Sequence, residues 1–315
     1  MGNIYQFEWE IRLIESIQKL IRSFPVLKGI FSFFTILGEP VTVVVLIAFI
    51  YWCIDKKAAI KTGINVLGAM ATNCMIKNIF KRIRPYAAND SIECLKVPES
   101  GYDMNDMNKQ GFSFPSGHAT ASTSTVTSLY LEKRYRKILS SGSIIVALVC
   151  ISRFALGVHY PTDVLVGIIM GVLPVFIIDM LSRKLNKKTL YLIILAYSCL
   201  GIFYCRSNDY YSVIGLMIGF MSGDLFEEKH VGFRNTNNCF RMIVRVLIGG
   251  LAYAGILAGL KLPFANEILE AETLFAYLYR VFRYAISTFM IIGLYPKVFG
   301  YNMLKFKENY ADKTE

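Results

Sequence analysis

The chain is short of charge. Only 18% of its 315 residues are Asp, Glu, Lys or Arg, against 54% hydrophobic and 14% aromatic, whereas soluble domains carry about 25% charged residues. That deficit excludes an ordinary soluble enzyme, and the wealth of apolar residues excludes a disordered chain. Internal repeats are missing too: no G-X-Y run or short period is present. The seven cysteines (53, 74, 94, 150, 199, 205 and 239) show no CxxC and no metal-ligand spacing. They exclude a disulfide framework and read as small packing residues. Histidine is scarcer still, with three in the chain. No cleavable signal peptide is expected, because the first 25 residues mix Glu, Arg and Lys among apolar positions.

What the chain does have is long apolar segments. A window of about 19 residues marks spans near 39–55, 58–79, 138–156, 162–182, 189–205, 210–226, 242–260 and 280–299. A ninth is expected at about 117–132, where the run Ala119–Ser128 (ATASTSTVTS) supplies the small residues that closely packed membrane helices use at their contacts. Residues 4–24 set Ile4, Phe7, Trp9, Ile11, Leu13, Ile14, Ile17, Leu20 and Ile21 among Glu8, Glu10, Arg12, Glu15, Lys19 and Arg22. That pattern suits a helix lying in the membrane interface. The expectation is an all-α polytopic transmembrane bundle of about nine spans. An interfacial amphipathic segment (1–38) precedes a motif-bearing core (39–182), additional transmembrane helices (183–300) and a charged cytoplasmic tail (301–315).

In such a protein the net charge of +11 reads as cytoplasmic loops obeying the positive-inside bias, not as a nucleic-acid surface. With 56–61, 133–137, 183–188, 227–245 and 297–315 on the cytoplasmic side, that side holds 19 Lys and Arg against 11 on the other. Nine spans then put the N-terminus outside and the C-terminus inside. Lys77, Lys81, Arg82 and Arg84 form a local excess on the outer side. Departures from a local rule tend to mark functional sites.

Three motifs fall on that outer face. Lys77-x6-Arg84-Pro85 ends the second span and, by itself, is equally well read as snorkelling cations. Pro115-Ser116-Gly117-His118 opens the small-residue helix, where Ser116 and Gly117 offer a hydroxyl and backbone N–H groups to an anion. Ser152-Arg153-x5-His159-x3-Asp163 ends one span and opens the next. Asp163, four residues after His159, is within reach of the imidazole; a carboxylate on one ring nitrogen fixes the tautomer and leaves the other free to attack. A structural histidine explains one such residue, but not two histidines, three cations and an anion nest at one membrane boundary.

The ordered set K-x6-RP, PSGH and SR-x5-H-x3-D resembles the type 2 phosphatidic acid phosphatase superfamily, which also contains glucose-6-phosphatase, sphingosine-1-phosphate phosphatases and the vanadium haloperoxidases. Each motif is complete, and the resemblance covers about residues 27–182. Helices after 189 fall outside that core. The resemblance implies that His159 is the nucleophile, oriented by Asp163, in a phosphohistidine mechanism. Lys77, Arg84, Arg153, Ser116 and Gly117 would hold the phosphate oxygens, and His118 would serve as general acid and then base. The resemblance implies that this phosphoryl transfer proceeds without metal, so no cofactor is expected, and the outer face shows no carboxylate cluster at Mg²⁺ or Zn²⁺ spacing.

The implied protein is an integral phosphatase of a bacterial plasma membrane, its site facing the extracytoplasmic side. Its partner is a lipid phosphate held by the bilayer, such as undecaprenyl pyrophosphate, phosphatidic acid, phosphatidylglycerol phosphate or sphingosine-1-phosphate. The segment Tyr86–Phe114, with Asp90, Glu93, Glu99, Asp103 and Asp106, reads as an acidic solvated loop or a lid. A phosphotransferase would use the same residues. A non-catalytic lipid-binding relative would normally have lost a motif residue. A transporter would carry ionisable residues at mid-span, and only Asp179 comes near that.

Overall fold

A computed structural model of the chain describes residues 5–96 and 111–299; the central part of the expected lid, with Glu99, Asp103 and Asp106, and the tail 301–315 lie outside them. Among the described residues all regular structure is helical, and no β-strand occurs. The chain divides into two compact units, Met1–Val44 with Asn65–Tyr210, and Val45–Ile64 with Tyr211–Glu315.

The first unit opens with α1 (Glu8–Ser23) and α2 (Val26–Leu37). Gly38 ends α2 and Pro40 begins α3 (Pro40–Phe49), which runs into a single π turn, Ile50–Ile54. The sequence reading placed residues 26–37 in the interfacial segment. The helix there is only 12 residues long, too short to fill a 19-residue window. Helix α4 (Lys56–Phe80) is followed by a short turn, α5 (Pro85–Ala88). Then come α6 (Gly117–Lys133), α7 (Arg136–Ala155), α8 (Pro161–Ser182) and α9 (Lys187–Cys199). Among the described residues three helices, α7, α8 and α11 (Cys239–Gly259), are long and apolar enough to cross a bilayer. The pair α2 and α3 with its π turn, bent by 52°, makes a fourth if it counts as one span. The nine spans expected therefore exceed what helix length and apolarity alone identify.

Helix α6 is the centre of the first unit. Ala119 to Thr125 and Ser128 are buried, so its hydroxyls cannot turn to water and bond to the helix backbone instead. Thr120 donates to Ser116 O, Ser122 to His118 O and Thr125 to Ala121 O. Helix α8 lies against it through two glycines. A Cβ at Gly167 would stand 2.7 Å from Ser116 O and 2.9 Å from Ala119 Cβ; at Gly171 it would stand 2.7 Å from Thr123 Cβ. Small side chains on both helices thus allow backbone-to-backbone approach, and Thr120 Oγ1 donates across to Gly167 O at 3.0 Å. The opposite face of α8 carries Leu165, Ile169, Leu173 and Phe176, each half exposed or more, as a lipid-facing surface requires.

In the second unit, α10 (Asn208–His230) meets α12 (Leu274–Phe289) through Gly215 and Gly219, where a Cβ would strike the carbonyls of Val281 and Ala285. Buried Glu227 holds Lys56 Nζ at 3.0 Å and accepts the Phe233 N–H at 2.9 Å. Arg245 on α11 donates to Trp52 O at 2.7 Å.

Candidate active site

The site is built where α4, α6, α7 and α8 end. Between α7 and α8 the chain makes a turn over 156–160. Gly157 sits there at φ +76°, and a Cβ on it would lie 2.3 Å from Glu93 O, so both conformation and space require glycine. The N–H groups of Val158 and His159 both point at Arg153 O, at 3.2 and 3.3 Å. Arg153 and His159 are therefore set relative to each other by one closed turn, and both side chains are buried, each about 2% exposed.

Asp163 stands in the first turn of α8, fully buried. Its Oδ2 accepts the Tyr160 N–H at 2.8 Å and lies 3.5 Å from His159 Nδ1. That separation sets the carboxylate against the ring but falls short of an aligned hydrogen bond. Its backbone carbonyl accepts the Ser116 N–H at 3.0 Å, which fixes the start of α6 to the start of α8. Ser116 caps α6, with its Oγ accepting the Ala119 N–H. A Cβ at Gly117 would make only ordinary contacts, with Met70 Cε at 3.7 Å and Asn73 Oδ1 at 4.0 Å. Packing of the protein itself does not demand glycine there.

Of the cations, Arg84 donates through Nε to Gly111 O at 2.9 Å and through Nη1 to Val158 O at 3.1 Å, beside His159. Arg153 donates through Nη1 to Thr35 Oγ1 on α2. Lys77, in the last turn of α4, is half-buried and faces the charge of Asp209. His118 is within electrostatic reach of Arg153, Lys96, His159 and Arg84, and Gly38 lies against its Cβ. The structure thus brings all eight expected residues to one end of the first unit. His118 Nε2, His159 Nδ1, Arg153 Nε and Asn73 Oδ1 are buried without a hydrogen-bond partner among the described residues. Burial first, then the positive charges of Arg84, Arg153 and Lys77, push the His159 imidazole well below the usual histidine range, with the Ser113 backbone opposing. No group of three His, Cys, Asp or Glu side chains among the described residues has the arrangement of a metal site.

Sequence reasoning missed a second layer. Arg82 counted only as part of the outer excess, yet it is 4% exposed. Its guanidinium donates to Asp163 Oδ1 at 2.6 Å, Thr162 Oγ1 at 2.7 Å and Glu10 Oε2 at 2.7 Å. It also stacks 3.9 Å from the centre of the Tyr160 ring. Glu10 belongs to α1, whose buried stripe is Glu10, Ile14, Gln18 and Ile21. Two polar residues on an otherwise apolar helical stripe were the available signal.

Two histidines, an aspartate and three cations thus gather at the helix ends of an all-helical membrane protein, among the described residues. Comparison with known families makes this specific. Residues 58–187 match the PAP2 superfamily, and residues 211–305 match the family described as PAP2 superfamily phosphatase, transmembrane extension. The chain carries a PAP2 superfamily domain followed by that family's transmembrane extension. Residues 211–305, outside the resemblance read from the motifs, thus have a family counterpart of their own. The chain is 30% identical over 160 residues to a lipid A 4'-phosphatase of Porphyromonas gingivalis, covering 47% of this chain and 63% of that protein. It is 31% identical over 90 residues to phosphatidylglycerophosphatase B of Bacillus subtilis, covering 26% and 44%. The chain therefore spans less than two thirds of these relatives. No solved structure matches it.

Proposed function

We propose that this protein is a membrane lipid phosphatase that hydrolyses a phosphate or pyrophosphate monoester at the outer face of a bacterial plasma membrane through a phosphohistidine intermediate. The observation that carries the reading is the pairing at the α7–α8 turn. His159 Nδ1 faces Asp163 at 3.5 Å, which supports Nε2 as the attacking atom, and burial with the neighbouring cations disfavours protonation of the ring. Nε2 attacks phosphorus, the bond to the leaving oxygen breaks, and His118, entering the step as the imidazolium, gives its proton to the departing alkoxide and becomes neutral. In the second step His118 takes a proton from water, which attacks phosphorus, breaks the P–N bond and restores neutral His159. Lys77, Arg84 and Arg153 supply about three positive charges to the phosphoryl oxygens, and the Ser116–Gly117 turn adds neutral donors. No divalent cation is then needed to neutralise the transition state. The relatives' names, lipid A 4'-phosphatase and phosphatidylglycerophosphatase B, support a phosphorylated lipid as substrate. The outer-face orientation rests on the 19-to-11 division of Lys and Arg.

Phosphate release from a panel of lipid phosphates, with purified protein in detergent and EDTA, is the test. The wild type is expected to turn over and His159→Ala to lose turnover while remaining folded. Substantial release by His159→Ala, or activity that vanishes in EDTA and returns with Mg²⁺ or Zn²⁺, would overturn the mechanism.

A further inference from the structure

We infer that Glu10, on the N-terminal helix, is a positioning residue for the His159 nucleophile, acting through Arg82 and Asp163. The inference rests on the phosphohistidine reading above. Attack by Nε2 turns a neutral imidazole into an N-phosphorylated cation, so the carboxylate facing Nδ1 must keep its negative field as the step proceeds. Asp163 does not stand alone: its Oδ1 is 2.6 Å from Arg82 Nη1. A buried one-to-one arginine–carboxylate pair is neutral as seen from the ring, and it would cancel much of what Asp163 offers.

The second carboxylate changes the sum. Glu10, fully buried, takes Arg82 Nη2 at 2.7 Å. One guanidinium between two carboxylates leaves the triad with a net charge of −1, and the Asp163 end of it lies 3.5 Å from His159 Nδ1. Geometry is fixed at the same time. Glu10 Oε1 accepts both the N–H of Thr162, at 3.0 Å, and its hydroxyl, while Oε2 also accepts the Phe7 N–H at 3.2 Å. Thr162 immediately precedes Asp163, so α1 holds the first turn of α8 by main chain and side chain together. Bidentate sharing of this kind needs the planar fork of arginine. The face of α1 beside this stripe bears Trp9, Leu13 and Leu20, all exposed.

A purely structural Glu10 would anchor α1 by hydrogen bonds; an electrostatic one works by charge, and the two differ in sign under a paired substitution. Glu10→Gln keeps the shape and leaves the triad neutral, and it is expected to lower kcat about ten- to a hundredfold with KM changed less than about threefold. Glu10→Gln with Arg82→Gln restores the net −1 through Asp163 alone, so its kcat should exceed that of Glu10→Gln. A double variant as slow as the single one or slower, with both folded by melting curve, overturns the inference. So does Glu10→Gln at wild-type kcat. If Glu10→Gln does not fold, Glu10→Asp carries the test, since it preserves the charge pattern. It is expected within about tenfold of wild type, and a greater loss in the folded variant points to packing and refutes the charge argument. His159→Ala runs alongside: activity there brings down the mechanism itself, whereas an inactive His159→Ala beside a fully active Glu10→Gln brings down only this inference.

Discussion

The approach of α8 to α6 gives the sharpest structural prediction, because it ties a single methyl group to the geometry of the site. Gly167→Ala would place a Cβ 2.7 Å from Ser116 O and 2.9 Å from Ala119 Cβ. Ordinary contact needs about 3.5 Å or more, so the helices must part by several tenths of an ångström. Neither obstacle is a flexible side-chain tip: one is backbone and the other is fixed to a buried helix. Overpacking of this kind costs about 1–3 kcal/mol. The displaced group is Ser116, whose N–H holds the Asp163 carbonyl and whose side chain caps the helix bearing His118. Misplacement near 1 Å is worth about a hundredfold in rate, and a shift of several tenths is expected to lower kcat about tenfold. Gly171→Ala meets Thr123 and Thr120 one turn further from the site and should lose comparable stability with a smaller loss of kcat. Gly250→Ala and Gly255→Ala meet nothing within 4 Å and serve as controls that keep both. The assay is thermal unfolding in detergent together with phosphate release. A Gly167→Ala protein with unchanged melting temperature and kcat would refute the close-packing argument.

Two further outcomes follow from charge. A cysteine at Asp90, in a background without the native cysteines, should react with an impermeant maleimide in intact cells; labelling only after permeabilisation would reverse the orientation. The depressed His159 has a folded proton affinity below its unfolded value of about 6.5, so the folded state binds fewer protons and loses stability as pH falls through the unfolded value. Its contribution approaches about 1.4 kcal/mol per pH unit. The melting temperature should therefore drop between pH 7.5 and 5, with a shallower slope in His159→Gln, and an unchanged slope would contradict the assigned environment.

Much of the site was legible because its residues act locally. His159 and Asp163 share one turn, and Ser116, Gly117 and His118 are consecutive, so spacing alone places them. Each apolar window of the sequence also lies on helix among the described residues, since a run of apolar residues has few other uses in such a chain. Glu10 and Arg82 were not legible for the opposite reason. They are separated by 72 positions, and a charged residue near a helix end reads as one that seeks water. Only the fold shows that both are enclosed. Helix α2 escaped because Gly38 and Pro40 cut it short, and yet its Thr35 receives Arg153.

The position of that arginine has a consequence for how the protein is made. Arg153 lies in the last turn of α7, two residues before its end at Ala155. An arginine at the middle of a helix entering the bilayer carries an insertion penalty of about 2.5–3.5 kcal/mol, which falls away toward the ends. Placed where it is, the side chain can reach the headgroups while α7 is being threaded into the membrane, before α2 has packed beside it. The same residue is then enclosed only when the helices associate. A cation moved two turns back along α7 would carry more of that penalty at insertion, as a charge deeper in hydrocarbon.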